Sequence, residues 1–125
     1  MSLAKGFRGA LAGMIATVAW SGPAAADLYT PPFSAAEGEV QVCQVANIGS
    51  KPLSLIVEVR EGDGDVAESL ELMLAPGTVN GVGLEGDSSV HYCAFRGRVS
   101  AKTARATANV VDIGTGRTNF VVPAQ

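Results

Sequence analysis

The sequence predicts an all-β domain, an antiparallel β-sandwich of about seven strands with immunoglobulin-like architecture and one disulfide, Cys43–Cys93. Apolar and polar side chains alternate with a period of two over residues 53–60, which is typical of a strand with one buried face. Extended segments recur roughly every 8–12 residues, and turn-forming residues separate them, as in a sandwich. The two cysteines lie on an early and a late segment, as an inter-sheet bridge requires.

The first 26 residues predict a secretory signal peptide. Lys5 and Arg8 give a basic start, residues 10–20 are apolar, and residues 21–26 (Ser-Gly-Pro-Ala-Ala-Ala) break the run and supply small side chains for cleavage after Ala26. The alternative is a membrane anchor. The apolar run of about 11 residues is too short for one, because a spanning helix needs about 20.

Cleavage would leave residues 27–125, the length of one domain. Because Lys5 and Arg8 leave with the signal peptide, seven basic residues remain against twelve acidic ones, a net charge of −5. Nucleic acid is therefore excluded as a partner, since phosphate binding needs a basic surface. Export favours oxidation of the cysteines, and a bridge closing a loop of about 51 residues contributes about 4 kcal/mol. Free buried thiols and pairing between chains are the alternatives.

Residues 27–37 predict an extended N-terminal arm, because Pro31-Pro32 cannot occupy a central strand. The sandwich domain then covers residues 38–125. Val66–Leu74 is rich in helix formers, but its period of two and the turn before it favour a strand. The predicted strands are Gly38–Ala46, Leu53–Arg60, Val66–Leu74, Thr78–Leu84, Ser89–Val99, Ala104–Ile113 and Thr118–Pro123.

Two sheets packed face to face would bury side chains from several strands. A true immunoglobulin domain would also carry a core tryptophan and a tyrosine two residues before the second cysteine. Trp20 leaves with the signal peptide and Tyr92 immediately precedes Cys93, so the likeness is one of architecture. The expected core comprises Leu53, Leu55, Val57, Val59, Leu70, Leu72, Cys43, Cys93 and Phe95.

Short strings of strand and turn residues recur along most of the mature chain. They are Cys43-x-Val45-x-Asn47, Lys51-Pro52-Leu53, Leu74-Ala75-Pro76-Gly77, Tyr92-Cys93-x-Phe95 and Thr115-Gly116-Arg117-Thr118. Together they resemble an uncharacterised group of small exported bacterial one-disulfide β-domain proteins. The resemblance implies that the protein is exported by a bacterium, to the periplasm or out of the cell. It implies no catalytic residues.

The chain has one histidine, His91, and it is the one candidate for a general base. His91 shares a strand face with Cys93, which places it at the rim of the core. Asp87, Ser88 and Ser89 are close in sequence, but a catalytic triad requires groups that converge from separate elements. We therefore interpret His91 as a partly buried structural residue and expect no catalytic residues.

Glu61, Asp63 and Asp65 surround two glycines and could offer carboxylate oxygens to calcium. The flanking helices and the Glu at the twelfth position of an EF-hand loop are missing, so a solvated hairpin turn is the interpretation we prefer. Cys43, Cys93 and one histidine do not make a zinc site. We expect no metal and no cofactor.

Charge is unevenly distributed along the sequence. Residues 58–71 carry −5, and residues 96–117 carry +4. If these segments lie on opposite faces, copies of the chain could associate head to tail, whereas an ordinary mixed surface is the default.

These observations favour an exported non-enzymatic binding or structural module that acts through loops or an edge strand on an unknown protein or envelope component. One alternative is a subunit of a fibrous surface assembly, in which the arm around Tyr29–Phe33 adds to a neighbour's sheet. The other is a small hydrolase with His91 as base.

Overall fold

Strands account for most of residues 26–125, the part of the chain that the computed structural model describes. The predicted signal peptide, with Lys5, Arg8 and Trp20, lies outside these residues except for Ala26. In residues 26–125, no helix is long and apolar enough to cross a membrane. The strands of this part are β1 (Ala26–Tyr29), β2 (Phe33–Ser34), β3 (Glu39–Asn47), β4 (Leu53–Glu61), β5 (Val66–Leu74), β6 (Val79–Glu85), β7 (Val90–Val99), β8 (Ala104–Asp112) and β9 (Thr118–Pro123).

The strands form two sheets in which every neighbouring pair is antiparallel. The first sheet has the order β9-β8-β3-β6. The second has the order β1-β7-β4-β5, and β2 also pairs with β7. The predicted all-β sandwich is therefore confirmed, and the seven predicted strands correspond to β3–β9 with bounds that differ by one residue at most.

The two additional strands come from the segment that the sequence predicts to be an arm. β1 and β2 pair with β7, with Leu28 opposite Phe95 and Phe33 opposite His91. Pro31-Pro32 falls between the two strands, where its missing N–H groups remove no ladder bond. Most of residues 27–37 therefore belongs to the sandwich, although the segment is extended as predicted.

The core lies between the sheets. Eight of the nine expected core residues are buried, and Leu70 is partly buried and packs against them. Cys43 of β3 and Cys93 of β7 are joined by the predicted disulfide, and neither residue has any exposed surface. The bond links strands that have neighbours on both sides, so it fixes the centre of one sheet to the centre of the other.

Glycine-rich β6 forms an edge of the first sheet. Gly81 lies against β3 so closely that a Cβ atom there would overlap the Cys43 carbonyl oxygen. Glycines make this segment a weak strand prediction, yet the glycine at position 81 is what allows β6 to pair closely with β3.

The antiparallel order collects the turns at two ends of the sandwich. The loops 35–38, 62–65, 86–89 and 113–117 form what we call the hairpin end, where Ser88 N donates to Ala35 O and Ile113 N donates to Gly38 O. The turns 48–52, 75–78 and 100–103 form the opposite end, which we call the Asn47 end. There Asn47 N donates to Thr78 O and Ile48 N donates to Thr103 O.

A buried asparagine holds the Asn47 end together. Asn47 Nδ2 donates to Lys51 O at 2.9 Å and to Leu74 O at 3.0 Å, and its Oδ1 accepts from Gly49 N at 2.9 Å. Because each of these backbone groups belongs to a turn or a strand end, one side chain supplies partners that the sheets cannot.

We predict that the variant Cys43→Ala/Cys93→Ala of the mature domain loses about 4 kcal/mol of unfolding free energy, because the unfolded chain regains the entropy of a loop of about 50 residues. Urea unfolding followed by far-ultraviolet circular dichroism measures the change. Wild type reduced with dithiothreitol serves as the matched control and should lose a similar amount. Equal midpoints for the variant and the oxidised wild type would contradict the prediction.

Candidate functional site

A cavity of about 390 Å³ opens at the hairpin end. Its walls come from the end of β4, the turn that follows it, the loop before β7 and the start of β7. Glu61 and His91 are cross-strand partners, so their side chains lie on the same face of the second sheet. The residues that line the cavity are Glu61, Gly62, Asp63, Asp87, Ser89, Val90 and His91.

His91 lines this cavity from its buried side and is only 4% exposed. Gln41 Nε2 lies 3.0 Å from His91 Nδ1, and the Ser89 carbonyl oxygen lies 3.3 Å from the same nitrogen. Among the described residues no serine hydroxyl hydrogen-bonds to the ring, so the cluster that the sequence suggested for a hydrolase lacks a bonded nucleophile and base.

Asp87 does not orient the histidine. Its Oδ1 accepts the Ser89 backbone N–H at 2.9 Å. The hydrogen bonds from Ser89 hold the pKa of Asp87 below its ordinary value, with a smaller contribution from nearby His91. The Asp87 carboxylate is therefore ionised at neutral pH and contributes a negative charge to the cavity wall.

Glu61, Asp63 and Asp65 come together as the sequence suggests. One oxygen from each carboxylate lies within 4.8 Å of the others, and all three side chains are exposed. Asp63 Oδ1 accepts the Asp65 N–H at 3.0 Å, and Gly64 takes a φ of 99°, so the turn is stabilised by its own groups. The segment forms a hairpin turn, and its negative charges lie beside Asp87 at the same cavity.

Gln41 and the residues of the solvent side of the second sheet described below are missed by sequence analysis. Gln41 is fully buried on the inward-facing row of β3, and its Oε1 has no hydrogen-bond partner. Every second residue of β3 faces inward, and this row comprises Gln41, Cys43, Val45 and Asn47. The two amides at the ends of the row therefore lie where the core meets the two ends of the sandwich. Apolar residues at positions 40 and 42 obscure this signal, because they suggest the opposite face.

A second surface lies on the solvent side of the second sheet. We call it the tyrosine–arginine face, and it comprises Tyr29, Glu58, Arg60, Tyr92 and Arg96. The pairs Arg60–Tyr92 and Glu58–Ala94 are directly opposite each other, and Tyr29 lies opposite Ala94 from the other side. The rings of Tyr29 and Tyr92 are 6.4 Å apart and tilted by 52°. Three neighbouring strands therefore contribute to one continuous surface.

A carboxylate organises this face. Glu58 is only 6% exposed, although it points to solvent between the inward-facing Val57 and Val59. Arg60 Nε donates to Glu58 Oε1 at 2.8 Å, and Arg60 Nη2 lies 2.8 Å from the same oxygen. Arg96 Nη1 lies 3.5 Å from Glu58 Oε2. These hydrogen bonds to Glu58 raise the pKa of Arg60. Both guanidinium groups are thereby held in place before any partner arrives.

Asp27 extends the network to β1. Its Oδ1 accepts the Gly97 N–H at 3.1 Å, and its Oδ2 lies 3.3 Å from the Tyr29 hydroxyl and 3.8 Å from Arg96 Nε. The first strand thus contributes a carboxylate and an aromatic ring to the same face.

The comparisons with known proteins define the fold. A solved crystal structure, Thermotoga maritima 1070, superposes with a TM-score of 0.58 over 82% of this chain and 95% of that one, at 10% sequence identity. At that identity the similarity shows a shared fold. No protein-family model matches the chain. No curated protein matches it either.

We predict that Glu58→Ala lowers the unfolding free energy by about 1.5–3 kcal/mol, the range for hydrogen bonds to charged groups, because the substitution leaves two guanidinium groups without their shared carboxylate. Urea denaturation of the mature domain measures the loss. Glu68→Ala on β5 is the control, since that side chain is exposed and a surface change of this kind costs less than about 0.5 kcal/mol. Equal losses in the two variants would contradict a structural role for Glu58.

Proposed function

We propose that this chain is an exported, non-enzymatic binding module that recognises a protein or envelope component through the tyrosine–arginine face. The observation that carries the proposal is the partly covered Glu58 carboxylate, which holds Arg60 and Arg96 on a solvent-facing sheet. Most outward-facing strand residues need no such support, because water satisfies them.

The composition of the face supports protein recognition. Tyrosine and arginine are enriched at the centres of protein interfaces, where they account for most of the binding energy. Tyr29 is 42% exposed and Met73, on β5 of the same sheet, is 71% exposed, so apolar surface accompanies the charged groups. Held side chains lose less conformational entropy on binding, which favours affinity.

The structure also supports export. A fully buried disulfide indicates an oxidising compartment outside the cytosol. We place the protein in the periplasm or outside the cell of a bacterium, in keeping with its resemblance to small exported bacterial domains. Cleavage after Ala26 would leave Asp27 as the first residue, which Gly97 and Arg96 hold on the sheet.

The two alternative functions lack such support. Strand addition by the arm requires residues around Tyr29–Phe33 to be available to a neighbour, whereas β1 and β2 pair with β7 of their own chain. A hydrolase requires a nucleophile bonded to His91, whose Nδ1 instead contacts Gln41 and the Ser89 carbonyl. A binding role therefore remains the proposal.

We predict that Tyr29→Ser/Arg96→Ser reduces retention of the envelope partner at least tenfold, or about 1.4 kcal/mol, because both exposed side chains belong to the proposed contact. The immobilised, oxidised mature domain is incubated with solubilised envelope from its own cells, and the retained protein is quantified by mass spectrometry. The expected result is a protein that wild type retains and the variant does not.

The matched control is Arg117→Ser/Val121→Ser, which removes one exposed arginine and one exposed apolar side chain outside the second sheet. It should retain the partner at the wild-type level. Equal retention by all three proteins, each shown by circular dichroism to be folded, would overturn the tyrosine–arginine face as the binding site.

A separate prediction concerns processing. We expect the exported protein to begin at Asp27, because the small residues before it fit signal peptidase. Intact-mass analysis of protein from the periplasmic fraction and the medium measures the mature length and identifies the compartment. A full-length chain in either fraction would contradict cleavage, and restriction of the protein to the cytosol would contradict export.

A further inference from the structure

The two ends of the sandwich carry opposite charge. Glu61, Asp63, Asp65 and Asp87 lie together at the hairpin end, where Glu37 adds a fifth carboxylate and Arg117 is the one basic residue of the loops. The turns of the Asn47 end contain no acidic residue. That end carries Lys51, Lys102 and Arg105, all of them exposed.

This polarity differs from the one that the sequence suggested. The segments 58–71 and 96–117 do not form opposite faces, because Glu58 and Arg96 contact each other and Arg117 lies at the hairpin end. The side chain of Arg98 lies outside the described residues. The separation instead runs along the strands, from one set of loops to the other.

Neither end is neutralised within its own chain. The ion pairs of the described residues involve Glu58, Arg60, Arg96 and Asp27 and no charged residue of either end. The end charges therefore face solvent, and like ends repel each other while unlike ends attract.

Each end has a cavity that lies beside its charged side chains. The cavity of about 390 Å³ at the hairpin end is lined by acidic side chains and by the exposed Val90, and a cavity of about 400 Å³ at the Asn47 end is lined in part by Lys51. The Asn47 end presents Lys51 and Lys102 on adjacent turns, since Ile48 N donates to Thr103 O between them. Ile48 is itself 48% exposed, so each end combines charge with apolar surface.

We propose that copies of this chain associate head to tail, with Lys51 and Lys102 of one copy seated against Glu61, Asp63 and Asp87 of the next. A contact between two different surfaces leaves one acidic and one basic end free, so the association is open-ended. The surfaces involved are separate from the tyrosine–arginine face, and this inference does not depend on the proposed function.

Sedimentation velocity of the mature, oxidised domain tests the proposal. At about 20 mM salt the mean sedimentation coefficient should rise with protein concentration, and at about 500 mM salt, where charges are screened within a few ångströms, it should return to the monomer value. A monomer at both salt concentrations, or oligomers unaffected by salt, would overturn the proposal.

Charge substitution identifies the surfaces. Glu61→Lys/Asp65→Lys removes the net negative charge of the hairpin end and Lys51→Glu/Lys102→Glu reverses the charge of the other end, and none of these four side chains makes a hydrogen bond in the described structure. Each variant alone should be monomeric at low salt, because the first has no net charge at its hairpin end to attract the basic end and the second has two negative ends. An equal mixture should associate again, because unlike ends are restored between the two variants.

The control is Glu68→Lys/Glu71→Lys on β5, which changes the net charge by the same amount as the first variant but outside the turns of either end. It should associate like wild type. Loss of association in this control would show that net charge alone is responsible, and a mixture that stays monomeric would exclude the head-to-tail contact.

Discussion

The bond between Cys43 and Cys93 joins the middle of one sheet to the middle of the other, and the remaining strands are arranged outward from it. β3 carries β8 and β6 on its two sides, and β7 carries β4 on one side and β1 and β2 on the other. Because both cysteines are fully buried, the covalent link lies within the packed layer that the apolar side chains form. A domain of this size buries a modest core, so a bond that shortens the unfolded chain is a large part of its stability.

The inward row of β3 shows how that core is limited at both ends. Cys43 and Val45 lie at its centre, whereas the buried amides Gln41 and Asn47 occupy its ends. Each amide contacts polar groups that have no partner in the sheet ladders. Asn47 bonds to three backbone groups, and Gln41 contacts the His91 ring. The three hydrogen bonds of Asn47 favour one arrangement of its turns over competing ones, since a different arrangement would leave these polar groups unpaired.

Sequence patterns that span a few residues predict the seven strands correctly, but they do not predict which distant residues come into contact. Period-two patterns and glycine or proline turns are readable over a few residues, so β3–β9 and most of the core follow from them. The pairing of β1 with β7, the Gln41–His91 contact and the burial of Glu58 depend on which strands become neighbours. Glu58 occupies a position that its own strand assigns to solvent, and it is covered because Arg60 and Arg96 reach it from two strands.

The same antiparallel topology separates the surfaces available for function. Side chains alternate across a strand, so residues of β1, β4 and β7 that are far apart in sequence meet on one outer face. Turns alternate along the sandwich, so the acidic residues 61–65 and 87 meet at one end while Lys51 and Lys102 meet at the other. The tyrosine–arginine face, the hairpin end and the Asn47 end therefore use different residues. A small domain with one core can therefore bind a partner through its sheet while it contacts copies of itself through its loops.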